Sequence, residues 1–233
     1  MLSNILKEVQ FTRADTDLTP ASERIARETA LVVFVDGHHF ATAMILATLE
    51  KEYVIGHLYT QGLINDAADI VSIEIKNDIA DVKLKTDIEK RVVSQEVNSN
   101  LKVGKEDVFE CVQGILKSPV FAETEAVHSA GLFLYGRKTV AIAEDLGRHN
   151  ALDKVIGNAL LKNVDFSKTL ATSTGRQPTE MILKCCSAGV PIIATKGVPT
   201  SLAVELAEKA GITIVGLVRR DSMIVYSHPE RIE

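Results

Sequence analysis

The 233-residue sequence predicts an α/β fold, with a smaller β-rich part over residues 1–100 and a larger α/β part over residues 101–233. Two observations support this prediction. After residue 126, apolar strand segments alternate with segments of helical periodicity. Before residue 100, short apolar runs are joined by hairpin turns. Continuous apolar strands separated by helices are typical of a mostly parallel, buried sheet.

Two hairpins and a short helix are predicted in the β-rich part. Asp36-Gly37 lies between two apolar runs, and both positions accept the positive φ that a tight turn requires. Asn77-Asp78 marks the second turn. Residues 51–64 between the hairpins are predicted to form a short amphipathic helix. Apolar residues alternate with polar ones before the second turn and predict one buried face: Val71, Ile73 and Ile75.

Residues 90–107 are polar and lack a clear period, which predicts a linker or a mobile loop. A helix is predicted to follow, because apolar residues recur there at a spacing of three and four. Its buried face is predicted to consist of Val108, Cys111, Val112 and Ile115.

The α/β part is predicted to begin with a hairpin that turns at Gly136-Arg137. Helices are predicted at 147–163, 178–189 and 199–211, and strands at 168–174, 190–197, 212–218 and 223–228. The first helix is predicted to be buried through Leu152, Val155, Ile156 and Ala159. In the second, Pro178 in the first turn and Gly189 after the last turn are typical helix boundaries.

Composition and charge exclude several classes of protein. The net charge of −5 and the pI of about 5.7 argue against a dedicated nucleic-acid binder, which carries a basic excess. No signal peptide opens the chain, and no run reaches the roughly 18 apolar residues of a membrane helix. Three cysteines cannot all pair within one chain, and free thiols are typical of a reducing compartment. These features predict a cytoplasmic protein that does not enter a membrane.

Three strand-to-helix loops are candidates for binding an anion, because helix N-termini expose unpaired N–H groups at the edge where α/β sheets bind ligands. Arg148, Arg176 and Lys196 add positive charge to these loops. The alternative is that Gly, Ser, Thr and Pro serve there only as turn and cap residues. The loops are 143–151, 172–180 and 195–201.

Individual polar residues near these loops have two interpretations each. His149 is a candidate for phosphate binding or proton transfer, or else a packed histidine. His128 is a candidate ligand contact, or else a hydrogen-bonded core residue. Glu144 and Asp145 are candidates for acid–base chemistry, or else the ion-pair partners of Arg148.

The cysteines predict no metal site. The sequence contains no C-x-x-C motif, and Cys185 and Cys186 are neighbours on a predicted helix, where their side chains point about 100° apart. Cys111 and Cys186 are therefore predicted to fill core positions. No zinc is expected.

The segments 144–157 (EDLGRHNALDKVIG), 172–193 and 197–232 resemble the formate dehydrogenase accessory protein family, FdhD/NarQ. The resemblance extends over nearly the whole chain. It implies a three-layer α/β domain related to the cytidine deaminases, preceded by a smaller β-rich part, and a homodimer. It also implies transfer of sulfur from a cysteine desulfurase to the bis-guanine-dinucleotide molybdenum cofactor, bis-MGD, before that cofactor enters formate dehydrogenase.

The resemblance places the cofactor-binding segment of the family at residues 217–222. Two arginines at the end of a buried strand are chemically suited to a pyrophosphate. With the loop residues above, the candidate residues for binding bis-MGD, or GDP as its fragment, are Leu217, Val218, Arg219, Arg220, Asp221, Ser222, Arg148, His149, Ser173, Gly175, Arg176 and His128.

The chain departs from the family pattern at two places. Residues 92–100 contain no cysteine where the family carries a C-x-x-C loop, and only a thiolate can carry a persulfide. Cys111 is the nearest thiol and the one candidate for the sulfur carrier. The family's Gly pair before the histidine is replaced here by Glu125 and Ala126, and a carboxylate at that place repels a phosphate.

Three functions remain open at this point. The first is a family member that binds bis-MGD and transfers sulfur through Cys111. The second is a non-enzymatic carrier or chaperone of the cofactor that has lost the sulfur relay. The third is a hydrolase or deaminase-like enzyme that uses His128, His149 and Glu144, which requires these three side chains to converge. The zinc signature of the deaminases is absent from the sequence.

Overall fold

The structure is a computed structural model that describes residues 5–86, 88 and 96–233. The strands are β1 Leu6–Ala14, β2 Leu18–Ala26, β3 Glu28–Val35, β4 His38–Leu46, β5 Ile70–Lys76, β6 Ile79–Leu84, β7 His128–Leu134, β8 Lys138–Asp145, β9 Thr169–Ser173, β10 Ile192–Thr195, β11 Thr213–Arg219 and β12 Ser222–Val225. The helices are α1 Glu50–Thr60, α2 Lys105–Leu116, α3 Pro119–Thr124, α4 Arg148–Leu161, α5 Thr179–Ala188 and α6 Ser201–Ala210.

The N-terminal part forms a four-stranded sheet in the order β4-β3-β6-β5. Both predicted hairpins are confirmed, and all four turn residues have positive φ, from 50° at Asp36 to 80° at Gly37. The predicted burial of Val71 is wrong, since this side chain is 65% exposed. The register of β5 against β6 shifts between Ile70 and Ser72, which interrupts the alternation that the sequence suggested.

A long antiparallel hairpin, β1–β2, precedes this sheet and was not predicted. Most of its residues are exposed, so no buried face produces an apolar alternation in the sequence. Arg24 of this hairpin forms an ion pair with Glu123 of the short helix α3, which was also not predicted.

The α/β part is built on a six-stranded sheet in the order β12-β11-β10-β9-β7-β8. The prediction of a mostly parallel sheet is wrong. Strands β9, β10 and β11 are parallel, but β7, β8 and β12 pair antiparallel with their neighbours. The first two strands of this sheet along the chain, β7 and β8, form a hairpin, and so do the last two, β11 and β12. The two strands of a hairpin are necessarily antiparallel.

Helices cover both faces of the six-stranded sheet, which gives three layers. Helix α2 packs on one face through its four predicted apolar residues, all of which are buried. Helices α4, α5 and α6 contribute to the core on the other face, and the predicted buried side of α4 is confirmed. Leu132 and Phe133 are consecutive in β7 and point to opposite cores, as strand geometry requires.

The largest core contains residues from both parts of the chain, including Leu31 and Val33 of β3 beside Leu152 of α4. Helices α1 and α4 make the closest contact between the two parts. Gly56 and Gly157 face each other there, and a Cβ atom on either would clash with the backbone of the opposite helix. The backbones can approach this closely because neither residue has a side chain. The predicted boundary near residue 100 stays a prediction.

Part of the predicted linker, residues 90–95, lies outside the described residues. Residues 96–104 contain no regular helix or strand, and Val103 forms one isolated parallel bridge with Ile232. Among the described residues, no helix is long and apolar enough to cross a membrane.

Candidate functional site

Strands β8, β9, β10 and β11 all end at one edge of the six-stranded sheet, which we call the carboxyl edge. This follows from the registers, because β8 is antiparallel to β7 and β7 is antiparallel to β9. His128 at the start of β7 pairs with Asp145 at the end of β8. Ser173 at the end of β9 pairs with Thr195 at the end of β10. The three strand-to-helix loops that the sequence singled out therefore leave the sheet side by side.

Hydrogen bonds hold two of these loops together and connect them to β11. The Thr195 hydroxyl donates to the Gly175 carbonyl at 2.6 Å and accepts from the Gly197 amide at 2.9 Å. The Leu217 amide donates to the Gly197 carbonyl at 2.8 Å. Ser173 is buried and accepts from the Gly175 amide at 3.2 Å. The loops are thus fixed by the fold before any ligand binds.

Three of the candidate residues meet at Gly175. A Cβ atom on this residue would lie 2.9 Å from Cδ of Arg148 and 3.3 Å from Cε1 of His128. The first distance is shorter than carbon atoms tolerate, so a side chain at this position would force Arg148 to shift. The structure therefore brings Arg148, Gly175 and His128 together, with Ser173 one hydrogen bond away.

Arg148 has an unusual environment at this point. Its Nε is buried and has no hydrogen-bond partner among the described residues. A buried donor without a partner is costly, and native proteins satisfy nearly all such groups with protein, water or ligand. Burial lowers the pKa of His128, and the Arg148 charge lowers it further. His128 Nδ1 lies 3.3 Å from the hydroxyl of Thr174. The pair offers an anion one full positive charge and one neutral imidazole.

His149 follows Arg148 but lines a different hollow, of about 290 Å³, with His57, Asp153 and Lys184. Its Nε2 lies 3.4 Å from a carboxylate oxygen of Glu180. Burial lowers the pKa of His149, and Arg148 adds to that effect. This hollow was not predicted from the sequence.

Asp153 is the centre of that hollow and is almost completely buried. Its carboxylate accepts from Lys184 Nζ at 2.7 Å and from the Thr60 hydroxyl at 3.0 Å, and it lies 3.0 Å from His57 Nδ1. A signal for this network exists in the sequence, because the charged residue Asp153 lies among the apolar residues of α4.

The segment 217–222 lies at the end of β11 and the start of β12. Leu217 has φ 49° at a register irregularity, and Val218 is buried. Arg219 is exposed, and its Nη1 donates to the carbonyls of Lys196 and Val218 at 3.0 Å. This side-chain contact with the loop that follows β10 places Arg219 at the carboxyl edge.

Arg220, Asp221 and Ser222 line a separate hollow of about 730 Å³ with the first half of α2. Arg176 is exposed in the loop that follows β9. The candidate residues therefore share one edge of the sheet, but they line more than one hollow along it.

The interpretation of Glu144 and Asp145 as partners of Arg148 is wrong. Asp145 Oδ2 lies 2.6 Å from Lys154 Nζ, and neither side chain is exposed to solvent. Glu144 instead accepts from the Phe121 amide at 2.6 Å. Asp145 also accepts from the Gly147 amide at 3.0 Å, so this buried pair fixes the loop that carries Arg148.

All three cysteines are buried. Burial raises the pKa of Cys111 to about 12, and its Sγ donates to the Gly136 carbonyl at 3.0 Å. Burial raises the pKa of Cys185 to about 12 and also raises that of Cys186. Gly136 is in the β7–β8 turn, so Cys111 lies toward the sheet edge opposite to the carboxyl edge.

No group of three or more His, Cys, Asp and Glu side chains in the described ranges is arranged to hold a metal ion. His128, His149 and Glu144 each contact a different partner, namely Thr174, Glu180 and Phe121. These contacts give no support to the hydrolase or deaminase-like alternative.

Fold and site together define an α/β protein whose fixed loops and arginines converge at one edge of a mixed sheet. Comparison with known proteins gives the family: the model of the FdhD/NarQ family matches residues 26–95 and 85–233, and the chain belongs to that family.

Curated relatives carry the name sulfur carrier protein FdhD. One from Methanothermobacter thermautotrophicus is 31% identical, over 98% of this chain and 99% of its own. One from Sulfurisphaera tokodaii is 34% identical, over 89% and 91%. A crystal structure from Desulfotalea psychrophila, described as a formate dehydrogenase accessory protein, superposes with a TM-score of 0.87 at 28% identity, covering 98% of this chain and 100% of that chain.

Proposed function

We propose that this protein binds the bis-guanine-dinucleotide molybdenum cofactor at the carboxyl edge and serves in the maturation of a formate dehydrogenase. The observation that carries the proposal is the buried, unpartnered Nε of Arg148 at the point where Gly175 and His128 meet. The names of the relatives, sulfur carrier protein FdhD and formate dehydrogenase accessory protein, support the same role.

The residues present fit a phosphate-bearing ligand. Arg148 supplies an N–H donor that lacks a partner among the described residues, and the missing side chain at Gly175 lets the Arg148 side chain pack directly against this loop. Arg219 and Arg220 are exposed at the end of β11, where guanidinium groups can grip further phosphate oxygens. His128, held neutral by burial, adds a hydrogen bond without adding charge. The cofactor is cargo here, and these side chains bind and orient it.

Of the two forms of this function, we favour a carrier of the cofactor over a sulfurtransferase that uses this chain's own cysteines. A sulfur relay needs a thiolate that can reach its partner, and burial raises the pKa of each of the three cysteines. Because the chain has no other cysteine, we propose a carrier or chaperone that delivers the cofactor to its client. A cytoplasmic location, a homodimer, contact with a cysteine desulfurase and a cytidine-deaminase-like origin of the α/β part belong to this proposal as expectations.

Calorimetry with GDP and ADP tests the binding. We expect saturable GDP binding that is at least about tenfold tighter than ADP binding, and a loss of about tenfold or more in Arg148→Ala, because a charge-assisted phosphate contact is removed. Arg137→Ala is the matched control, since Arg137 is an exposed arginine at the opposite edge, paired with Asp107. Absence of GDP binding at millimolar concentration contradicts the proposal.

The carrier form is tested separately. Replacing Cys111, Cys185 and Cys186 by alanine should leave the GDP affinity unchanged, because none of them lies at the carboxyl edge. Incubation of the wild type with a cysteine desulfurase and labelled sulfur should leave Cys111 unlabelled. Labelled Cys111 with transfer to the cofactor contradicts the carrier form and restores the sulfurtransferase.

A further inference from the structure

A third hollow, of about 680 Å³, lies away from the carboxyl edge. We call it the amino-edge hollow. It is lined by residues 98–102, Tyr135, Ser167, Lys168 and Arg231. Its size is within the range of small-molecule sites, which is about 300–1,000 Å³.

The hollow lies where strands of the six-stranded sheet begin. The Tyr135 amide donates to the Lys168 carbonyl at 2.8 Å, just before β9 starts. Nη1 of Arg231 donates at 3.2 Å to the hydroxyl of Thr213, the first residue of β11. Since β11 ends at Arg219, the two sites are separated by roughly 20 Å of strand at 3.3 Å per residue. A ligand of the amino-edge hollow is therefore independent of the carboxyl edge.

Arg231 is the central charge of the hollow. The residue is only 8% exposed, yet none of the ion pairs among the described residues includes it. Its described partners are neutral oxygens, the Ser99 carbonyl at 3.4 Å and the Thr213 hydroxyl at 3.2 Å. Buried charges are normally paired, and a guanidinium has five N–H donors. The remaining donors of Arg231 are suited to an anion.

The other lining residues also include positively charged side chains. Lys102 and Lys168 bring the lining to three cations, and no carboxylate is among the lining residues. Their ion pairs with Glu233 and Asp165 are solvent-exposed, so a ligand can exchange for them at low cost. Tyr135, with φ 54° in the hairpin turn, leaves half of its surface in solvent beside the cations. Its ring offers a flat apolar surface for a planar group.

We propose that the amino-edge hollow binds a small phosphate-bearing molecule, with the phosphate on Arg231, Lys102 and Lys168 and any planar group of the ligand against Tyr135. The proposal goes beyond cofactor binding and does not depend on it. An oxyanion with two negative charges can replace the exposed carboxylates of Glu233 and Asp165 beside the two lysines, and Arg231 can contact it with two parallel N–H donors.

Two probes test this proposal, inorganic pyrophosphate and GMP, each titrated by calorimetry at low ionic strength into the full chain carrying Arg148→Ala, which removes the proposed phosphate contact at the carboxyl edge. We expect saturable binding of pyrophosphate, and the double variant Lys102→Ala/Lys168→Ala should weaken it at least about tenfold. The control Lys76→Ala/Lys209→Ala removes two exposed lysines elsewhere and should leave the affinity within about twofold, because the net charge changes equally in both variants. Arg231→Lys should weaken binding while circular dichroism shows an unchanged fold.

Tyr135→Ala distinguishes the two kinds of ligand. A selective loss of GMP affinity identifies a ligand with a planar ring, and equal effects on GMP and pyrophosphate identify a site for the phosphate group alone; both support the proposal. Three results overturn it: no binding of either probe at millimolar concentration, equal losses in the two lysine double variants, or a loss in Arg219→Ala/Arg220→Ala with none in the hollow variants. The last result would place the probes at the carboxyl edge.

Discussion

Replacing Lys154 by methionine should destabilise the protein strongly. Nζ of Lys154 lies 2.6 Å from Asp145 in a region with no solvent exposure, and it also donates to the carbonyls of Leu46 and Glu144 at 2.9 and 3.0 Å. Burial lowers the pKa of Lys154, and the Asp145 charge opposes that shift. Methionine keeps an unbranched side chain, one atom shorter than that of lysine, but leaves the buried carboxylate without its cation. Breaking a buried pair from one side costs about 3–5 kcal/mol.

Urea unfolding followed by circular dichroism measures this cost. For a chain of this size, 3–5 kcal/mol corresponds to a decrease in Tm of roughly 6–20 °C. Lys162→Met is the matched control just after the same helix, because Lys162 is exposed and its Nζ donates only to the Val140 carbonyl, so the loss should stay below about 1 kcal/mol. The double variant Lys154→Met/Asp145→Asn should recover part of the stability, since no uncompensated charge remains. A loss below about 1 kcal/mol in Lys154→Met would refute the reasoning from burial.

Four further predictions follow from the site. Gly175→Ala should weaken GDP binding by about tenfold, measured by calorimetry, because its Cβ would displace Arg148. Cys111 should react slowly with a thiol reagent at pH 7.5, because burial raises its pKa to about 12. The His128 pKa, measured by NMR titration, should lie below the usual 6.5. Its stabilising contribution is therefore complete above pH 6.5 and declines as the pH falls below that value, because the unfolded state binds the proton first. Glu125→Gly should raise the stability by about 0.5–1 kcal/mol, because Glu125 has φ 50°, where glycine is favoured.

Specific results would contradict each of these predictions. They are an unchanged GDP affinity in Gly175→Ala, complete labelling of Cys111 in the folded protein within seconds, a His128 midpoint above 6.5, and a loss of stability in Glu125→Gly. Gly189→Ala is a control for the Gly175 and Glu125 variants, because Gly189 has positive φ but open space around it. It should reduce stability without affecting GDP binding.

Local patterns in the sequence were sufficient for most helices and hairpins. The buried face of α2 was predicted because four apolar residues repeat at helical spacing. The mixed topology of the six-stranded sheet was not predictable in this way. Strand β7 pairs with both β8 and β9, and nothing in its own residues distinguishes an antiparallel neighbour from a parallel one.

The sequence predicted which residues lie near the carboxyl edge, but their hydrogen-bond and ion-pair partners are known only from the structure. Asp145 and Arg148 are close in sequence, and pairing them was a natural interpretation. The true partner of Asp145 is Lys154, and a further hydrogen bond comes from the Leu46 amide, 99 residues away. Such contacts depend on how distant segments pack, which periodicity cannot report. Gly175 was predicted either as a cofactor-binding residue or as a turn residue, but its contact with Arg148 depends on that packing as well.

The contact of Gly56 with Gly157 has a consequence for how the N-terminal part influences the carboxyl edge. Helix α4 begins at Arg148, and its backbone touches that of α1 without any side chain in between. No rotamer change can absorb a shift of one helix at this crossing, so a displacement of the N-terminal sheet is transmitted to α4 as a rigid-body movement. A displacement of α1 would therefore also move the first residue of α4, Arg148.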